Sequence, residues 1–413
     1  MGVMMNIPLS KPNTGDREIE QVVEVLRSNR LSLGPKLAEF EKKFGAYVGT
    51  PYAIATNSGT TALHLAIRAL GIGPGDEVIT TPFSFVASAN CILYQGARPI
   101  FVDIDRETLN LDPSQVRRFL VECCVMDRRR KIVRNKRTGA IVKAVLPVHV
   151  FGVPCQMDAI TAIAREFDLR VLEDACEALG AEFGGRKAGT FGDAAVFAFY
   201  PNKQITTGEG GMIVTYNERI AKLCRSLRNQ GRDDDSSWLR HVHLGFNYRL
   251  SELHCALGLA QLERLTEFLR ARERVADAYN RALSRNPYLS LPGRSDGAMR
   301  SWFVYVVQLN LPNPGLLRDR MILKLRERGI ESQAYFPAIH KQPYIADTAV
   351  APLGSLKWTE DASERCLALP FFPSMKSEEV TYVSETLGEL LDAELRPQTA
   401  GMGAFATAPE VPA

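Results

Sequence analysis

The stretch Val196-Phe197-Ala198-Phe199-Tyr200-Pro201-Asn202-Lys203-Gln204-Ile205-Thr206-Thr207-Gly208-Glu209-Gly210-Gly211-Met212-Ile213-Val214-Thr215 sets one lysine between two apolar runs, with a glycine turn ahead of the second. Earlier in the chain Arg170-Val171-Leu172-Glu173-Asp174 is another apolar run, and it closes on a carboxylate. If both runs are strands of one sheet and end at the same edge, the two opposite charges meet there. Outward from this core, Val78-Ile79-Thr80, Pro99-Ile100-Phe101-Val102-Asp103, Ala144-Val145-Leu146-Pro147-Val148 and residues 194–199 and 212–215 read as strands. They alternate with helix-period segments such as 157–166, which predicts an α/β fold with a mostly parallel sheet flanked by helices. Residues 253–272 read as one long helix, after which shorter elements follow near 301–309 and 317–329. Residues 1–270 are therefore expected to form a large domain, including the N-terminal segment and an interdomain helix. Residues 271–395 are expected to form a smaller C-terminal α+β domain, and 396–413, rich in Ala, Pro, Gly and Thr, a disordered tail.

A lysine after a strand is usually a surface residue, and an aspartate at a strand end is usually a cap. Their joint placement suggests pyridoxal phosphate chemistry. An amine among apolar walls can attack an aldehyde to form a Schiff base, and Lys203 would be that amine. Once freed by substrate it can carry a proton, the central step of transamination. Asp174 would keep a pyridine nitrogen protonated, so that the ring withdraws electrons. The segment Asn57-Ser58-Gly59-Thr60-Thr61, followed by Leu63, Ala66, Ile67 and Leu70 at helical spacing, is a candidate phosphate site, although an ordinary helix cap has the same pattern. Phe85 is a candidate to stack on the cofactor ring.

Composition allows such an enzyme. The 413 residues are 46% hydrophobic and carry 50 basic against 47 acidic side chains, a balance without nucleic-acid character. Eight scattered cysteines with no CxxC spacing predict reduced thiols and a cytoplasmic setting. The N-terminus lacks the pattern of a signal peptide. The uncharged stretch 78–97 carries Pro82, Asn90, Gln95 and Gly96 and reads as a buried strand, turn and helix with no membrane role. The basic cluster 128–137 has no interleaved aromatics and reads as a solvated excursion, with a substrate phosphate site as the minor alternative. His241 and His243 have no third ligand, and no metal is expected.

Ordered blocks along almost the whole chain then identify a family. They include Pro8-Leu9-Ser10-Lys11-Pro12, Asn57-Ser58-Gly59-Thr60, residues 73–79, Pro147-Val148-His149-Val150-Phe151-Gly152, Glu173-Asp174-Ala175-Cys176-Glu177-Ala178, Thr207-Gly208-Glu209-Gly210-Gly211 and Gly245-Phe246-Asn247-Tyr248-Arg249. In these the chain resembles the DegT-type sugar nucleotide aminotransferases, pyridoxal phosphate (PLP) enzymes of the aspartate aminotransferase fold (fold type I). The resemblance implies Lys203 as the Schiff-base lysine and Asp174 as the pyridinium partner. It also implies a phosphate loop at Ser58, Gly59 and Thr60, and Phe85 stacked on the ring. Asn247 matches an asparagine that reaches the neighbouring subunit's cofactor phosphate, which implies a homodimer with shared active sites. Arg249 and His340 match positions near the substrate. The implied reaction moves an amino group, usually from glutamate, onto a ketone of a nucleotide-linked sugar.

Three positions depart from the family pattern. Ala198 replaces a serine that donates to the cofactor phosphate, with Asn202 or a water as substitute. Glu177 replaces a glutamine at the cofactor's phenolic oxygen, so a perturbed titration is expected there. Cys176 replaces the alanine against the ring's other face. Ala198 and Glu177 are the hints for an alternative, a non-catalytic PLP-fold binding or regulatory protein. Lys203 and Asp174 favour the enzyme.

Overall fold

The computed structural model describes residues 5–233, 240–293, 296–346 and 354–395. The segment 396–413, expected to be disordered, lies outside the described residues. The near-continuous apolar runs of the sequence become the centre of a nine-stranded sheet, covered on both faces by helices as such runs require. Its main path runs Tyr52–Thr56, Gly211–Thr215, Ala194–Ala198, Arg170–Asp174, Ile141–Leu146, Asp76–Thr80, Arg98–Phe101. The last five are mutually parallel, whereas Gly211–Thr215 runs antiparallel to both its neighbours. Alternate residues of one strand enter opposite cores. Val196 packs with Ile54, Leu172 and Ile213, while Phe197 packs with Phe44, Met212 and Val214. The stretch 78–97 forms a buried strand, a turn and the helix Ala87–Leu93. Among the described residues no helix is long and apolar enough to cross a membrane.

A second, antiparallel sheet has the order Leu289–Ser290, Tyr305–Leu309, Cys366–Leu369, Gln333–Ala334. Its core joins Tyr305, Val307 and Leu367 to Met321 and Leu325 of the helix Pro314–Glu327 and to Val383 and Leu387 of the helix Ser377–Leu395. The helix expected over 253–272 is two helices, Glu252–Glu263 and Leu265–Leu283. Arg264 separates them at φ −98°, ψ 2°, its N–H closing a tight turn onto the carbonyl of Gln261. The second helix serves both sheets. Leu265 and Phe268 belong to the core of the large sheet, and Val275, Ala276, Tyr279 and Leu283 to that of the small one.

The basic excursion is a β-hairpin of Cys124–Asp127 and Ile132–Asn135, with Arg128, Arg129, Arg130 and Lys131 exposed at its tip. It pairs with the first residues of Ile141–Leu146. Asn135 Nδ2 and Thr138 Oγ1 donate to the buried carboxylate of Glu77 at 2.9 and 2.7 Å, which fastens the hairpin to the amino-terminal edge of the sheet.

Candidate active site

At the opposite edge, where the parallel strands end, Arg170–Asp174 delivers the Asp174 carboxylate into the interior at 5% exposure. Ser88 Oγ, from the helix Ala87–Leu93, donates to Oδ2 at 2.7 Å, and the Cys176 amide donates to Oδ1 at 3.1 Å. Ser88 carries no signal in the sequence, because it is one small residue in a small-residue helix and its partner is 86 positions away.

The neighbouring strand is in register, with Val196 opposite Asp174, so the chain leaving Ala198 crosses the same edge. A turn closed by the Lys203 amide onto the Tyr200 carbonyl at 2.9 Å points the lysine side chain inward. Its Nζ lies 3.7 Å from Glu177 Oε1 and 3.9 Å from the centre of the Phe303 ring. The ion-pair partner of the amine is thus Glu177, whereas Asp174 takes its hydrogen bonds from Ser88 and Cys176. Glu177 Oε2 accepts the Phe151 amide at 2.9 Å. Burial pushes the Glu177 carboxyl above its ordinary range, outweighing the opposing pull of the Lys203 charge. The perturbed titration expected at this position is therefore present. Burial also holds the Cys176 thiol well above its usual range. Asp174 adds to that shift and Lys203 opposes it, so the acid and the amine flank the same sulfur.

Beside them the helix Gly59–Ala69 begins. Ser58 is its N-cap, its Oγ accepting the Thr61 amide at 3.1 Å while Thr61 Oγ1 accepts the Ser58 amide at 3.2 Å. Residues 57–61 are half-buried, so this end of the helix remains open to the cleft. A side chain at Gly59 would come within 2.7 Å of Ala198 Cβ and 3.3 Å of Cys176 Sγ, and one at Gly211 within 2.4 Å of the Ser58 carbonyl. The helix start, Ala198 and Cys176 therefore form one closely packed floor.

Phe85 stands 61% exposed in the turn before the helix that carries Ser88. The side-chain oxygen of Asn202, next to Lys203, is buried without a hydrogen-bond partner among the described residues. His340 bonds through Nε2 to Glu360 Oε1 at 3.1 Å and leaves Nδ1 buried and without a partner among the described residues. Two of the expected residues stand on a separate segment. Asn247 is exposed on a strand-like bridge to Asn229, and Arg249 donates to Asn229 Oδ1 at 3.0 Å and Gln230 Oε1 at 3.3 Å. Chemically, the cleft offers an interior amine, two carboxyls in unlike surroundings, a free helix N-terminus suited to an anion and an exposed aromatic face.

The chain matches the model of the DegT/DnrJ/EryC1/StrS aminotransferase family over residues 12–388. It is 39% identical over 398 residues to GDP-perosamine synthase of Caulobacter vibrioides, covering 95% of this chain and 100% of the relative. It is 38% identical over 395 residues to the spore coat polysaccharide biosynthesis protein SpsC of Bacillus subtilis, covering 93% and 97%. Among solved structures, S. venezuelae DesV in complex with a ketimine intermediate is similar with a TM-score of 0.80 and 31% identity, over 93% of this chain and 98% of that one. With the family model spanning nearly the whole sequence and relatives matched over almost their full lengths, the chain belongs to the DegT/DnrJ/EryC1/StrS aminotransferase family.

Proposed function

We propose that this protein is a pyridoxal phosphate-dependent aminotransferase that moves an amino group from glutamate onto a keto group of a nucleotide-linked sugar. Membership of an aminotransferase family and the likeness to GDP-perosamine synthase support the reaction class and the substrate class. The observation that carries the reading is the interior amine of Lys203, beside Glu177 and Phe303, at the edge where Asp174 is buried and a helix N-terminus lies open.

The residues present fit the cofactor. The close approach at Gly59 leaves no room for a side chain, and the half-buried helix start at residues 57–61 lies open to the cleft, as an anion requires. Pyridoxal phosphate, when bound, supplies an aldehyde that takes up amino groups and a ring that draws electrons from the reacting carbon. Ser58, Gly59 and Thr60 would hold the phosphate with hydroxyls and amides at the positive end of the helix, and Asn202 would assist where Ala198 offers no hydroxyl. Asp174, fixed by Ser88 and Cys176, would hold the proton on the pyridine nitrogen. Phe85 would cover one face of the ring and Cys176 the other. Glu177, whose proton affinity burial raises, would face the phenolic oxygen, with the proton on either one of the two. Lys203 would hold the cofactor and then move the proton at the reacting carbon.

Asn247 stands exposed and suits a reach into a second copy's phosphate site, so the working form is a homodimer with shared active sites. Arg249 and His340 are assigned to the substrate, His340 through its unpartnered Nδ1. Residues 1–270 act as the cofactor-binding domain and 271–395 as the smaller domain, and the free cysteines suit a cytoplasmic setting. The test is spectroscopic. Purified protein is expected to be yellow, and glutamate to bleach the visible band, which a keto nucleotide sugar then restores. Protein whose spectrum responds to neither glutamate nor any other amino donor overturns the transaminase reading.

A further inference from the structure

Arg272 is 2% exposed, in the helix that serves both cores, and has no carboxylate partner among the described residues. Burial lowers its proton affinity to about 10, so it still carries a charge at neutral pH. An unpaired buried guanidinium is costly unless its donors are used, and here both terminal nitrogens meet main-chain carbonyls, while Nε has no partner among the described residues. Nη2 donates to the Lys203 carbonyl at 2.8 Å and the Asn202 carbonyl at 3.4 Å, while Nη1 donates to the Phe303 carbonyl at 3.0 Å. Lys203 and Phe303 are also the two residues whose side chains meet in the amine–ring contact at 3.9 Å. One rigid planar fork therefore grips the backbone beneath both halves of that contact, across 100 residues of sequence and between the two sheets.

We propose that Arg272 is a positioning residue for Lys203, setting the amine against the Phe303 ring and so aiming it into the cleft. The catalytic importance of that aim rests on the function proposed above, but the geometric effect on Lys203 does not, and the two are tested separately. Full-length protein freed of bound aldehyde is treated with limiting acetic anhydride. The acetylation rate of Lys203 is then mapped by mass spectrometry against the exposed Lys43 and Lys341.

In Arg272→Met the amine is released from the ring, and Lys203 is expected to react roughly three- to tenfold faster relative to those standards, the span that loss of one amine–ring contact allows. Arg272→Lys, which keeps the charge but not the fork, is expected to fall between wild type and Arg272→Met. An unchanged Lys203 rate overturns the proposal, as does an equal rise at every lysine, which marks a merely structural residue. Should Arg272→Met fail to fold, Arg272→Lys decides alone by the same criterion of a selective rise at Lys203. A wild-type protein without a glutamate-sensitive visible band defeats the enzymatic reading and leaves the labelling result intact.

Discussion

The two edges of the large sheet carry charge in opposite ways. At the amino-terminal edge the hairpin exposes Arg128, Arg129, Arg130 and Lys131 to water, and it is tied to the buried Glu77 by a pair of bonds. At the carboxyl edge Asp174, Glu177 and Lys203 are withdrawn from water and converge with a helix N-terminus. The denser run of charge is the less consequential one. Solvated cations interact weakly with anything, whereas withdrawn groups feel one another strongly, and only the second arrangement holds a proton at a chosen atom.

The contrast is broken most severely by Lys203→Ala, which is expected to slow the glutamate half-reaction by at least about 10⁴-fold, read as the rate of bleaching of the visible band. Asp174→Asn is expected to cost about 10²–10³-fold in the same measurement while the cofactor still binds. Asn247→Ala is expected to weaken cofactor retention about tenfold, measured by dialysis against free phosphate. A monomer with full cofactor occupancy would count against the shared site.

Glu177→Gln sharpens the comparison through pH. The folded-state carboxyl titrates above its unfolded value, so the native protein binds more protons than the unfolded chain between the two, and stability falls as pH rises through that window. Glutamine removes this loss. The melting temperature of cofactor-free Glu177→Gln minus that of wild type is therefore expected to grow by a few degrees from pH 4.5 to pH 8. A difference that stays flat with pH would sink the assignment. The smallest effect is expected at the other edge, where replacing residues 128–131 with serine leaves the half-reaction within about twofold.

The sequence showed the carboxyl edge well, because apolar runs that end in a charge announce both a strand and what it presents. Lys203 and Asp174 were singled out in that way, the helix start at Ser58 from its cap pattern, and the titration of Glu177 from the family resemblance. Tyr52–Thr56 was not singled out as a strand, a short segment whose place is fixed by pairing with Gly211–Thr215 far along the chain. The break at Arg264 was hidden because the apolar spacing continues across it, and periodicity records faces but not single tight turns. Ser88, Phe303 and Arg272 escaped for a related reason. Each acts across tens of residues through one bond or one ring contact, which leaves no local pattern.

Gln204, the residue after the lysine, donates through its side-chain amide to the carbonyls of both Glu177 and Ser301. The large layer and the approach to the small one are thereby stitched together directly behind the amine. Parting them would strip a buried amide of both acceptors, at a cost of about 1–3 kcal/mol, so the wall behind the amine resists separation while the cleft in front of it stays free to adapt.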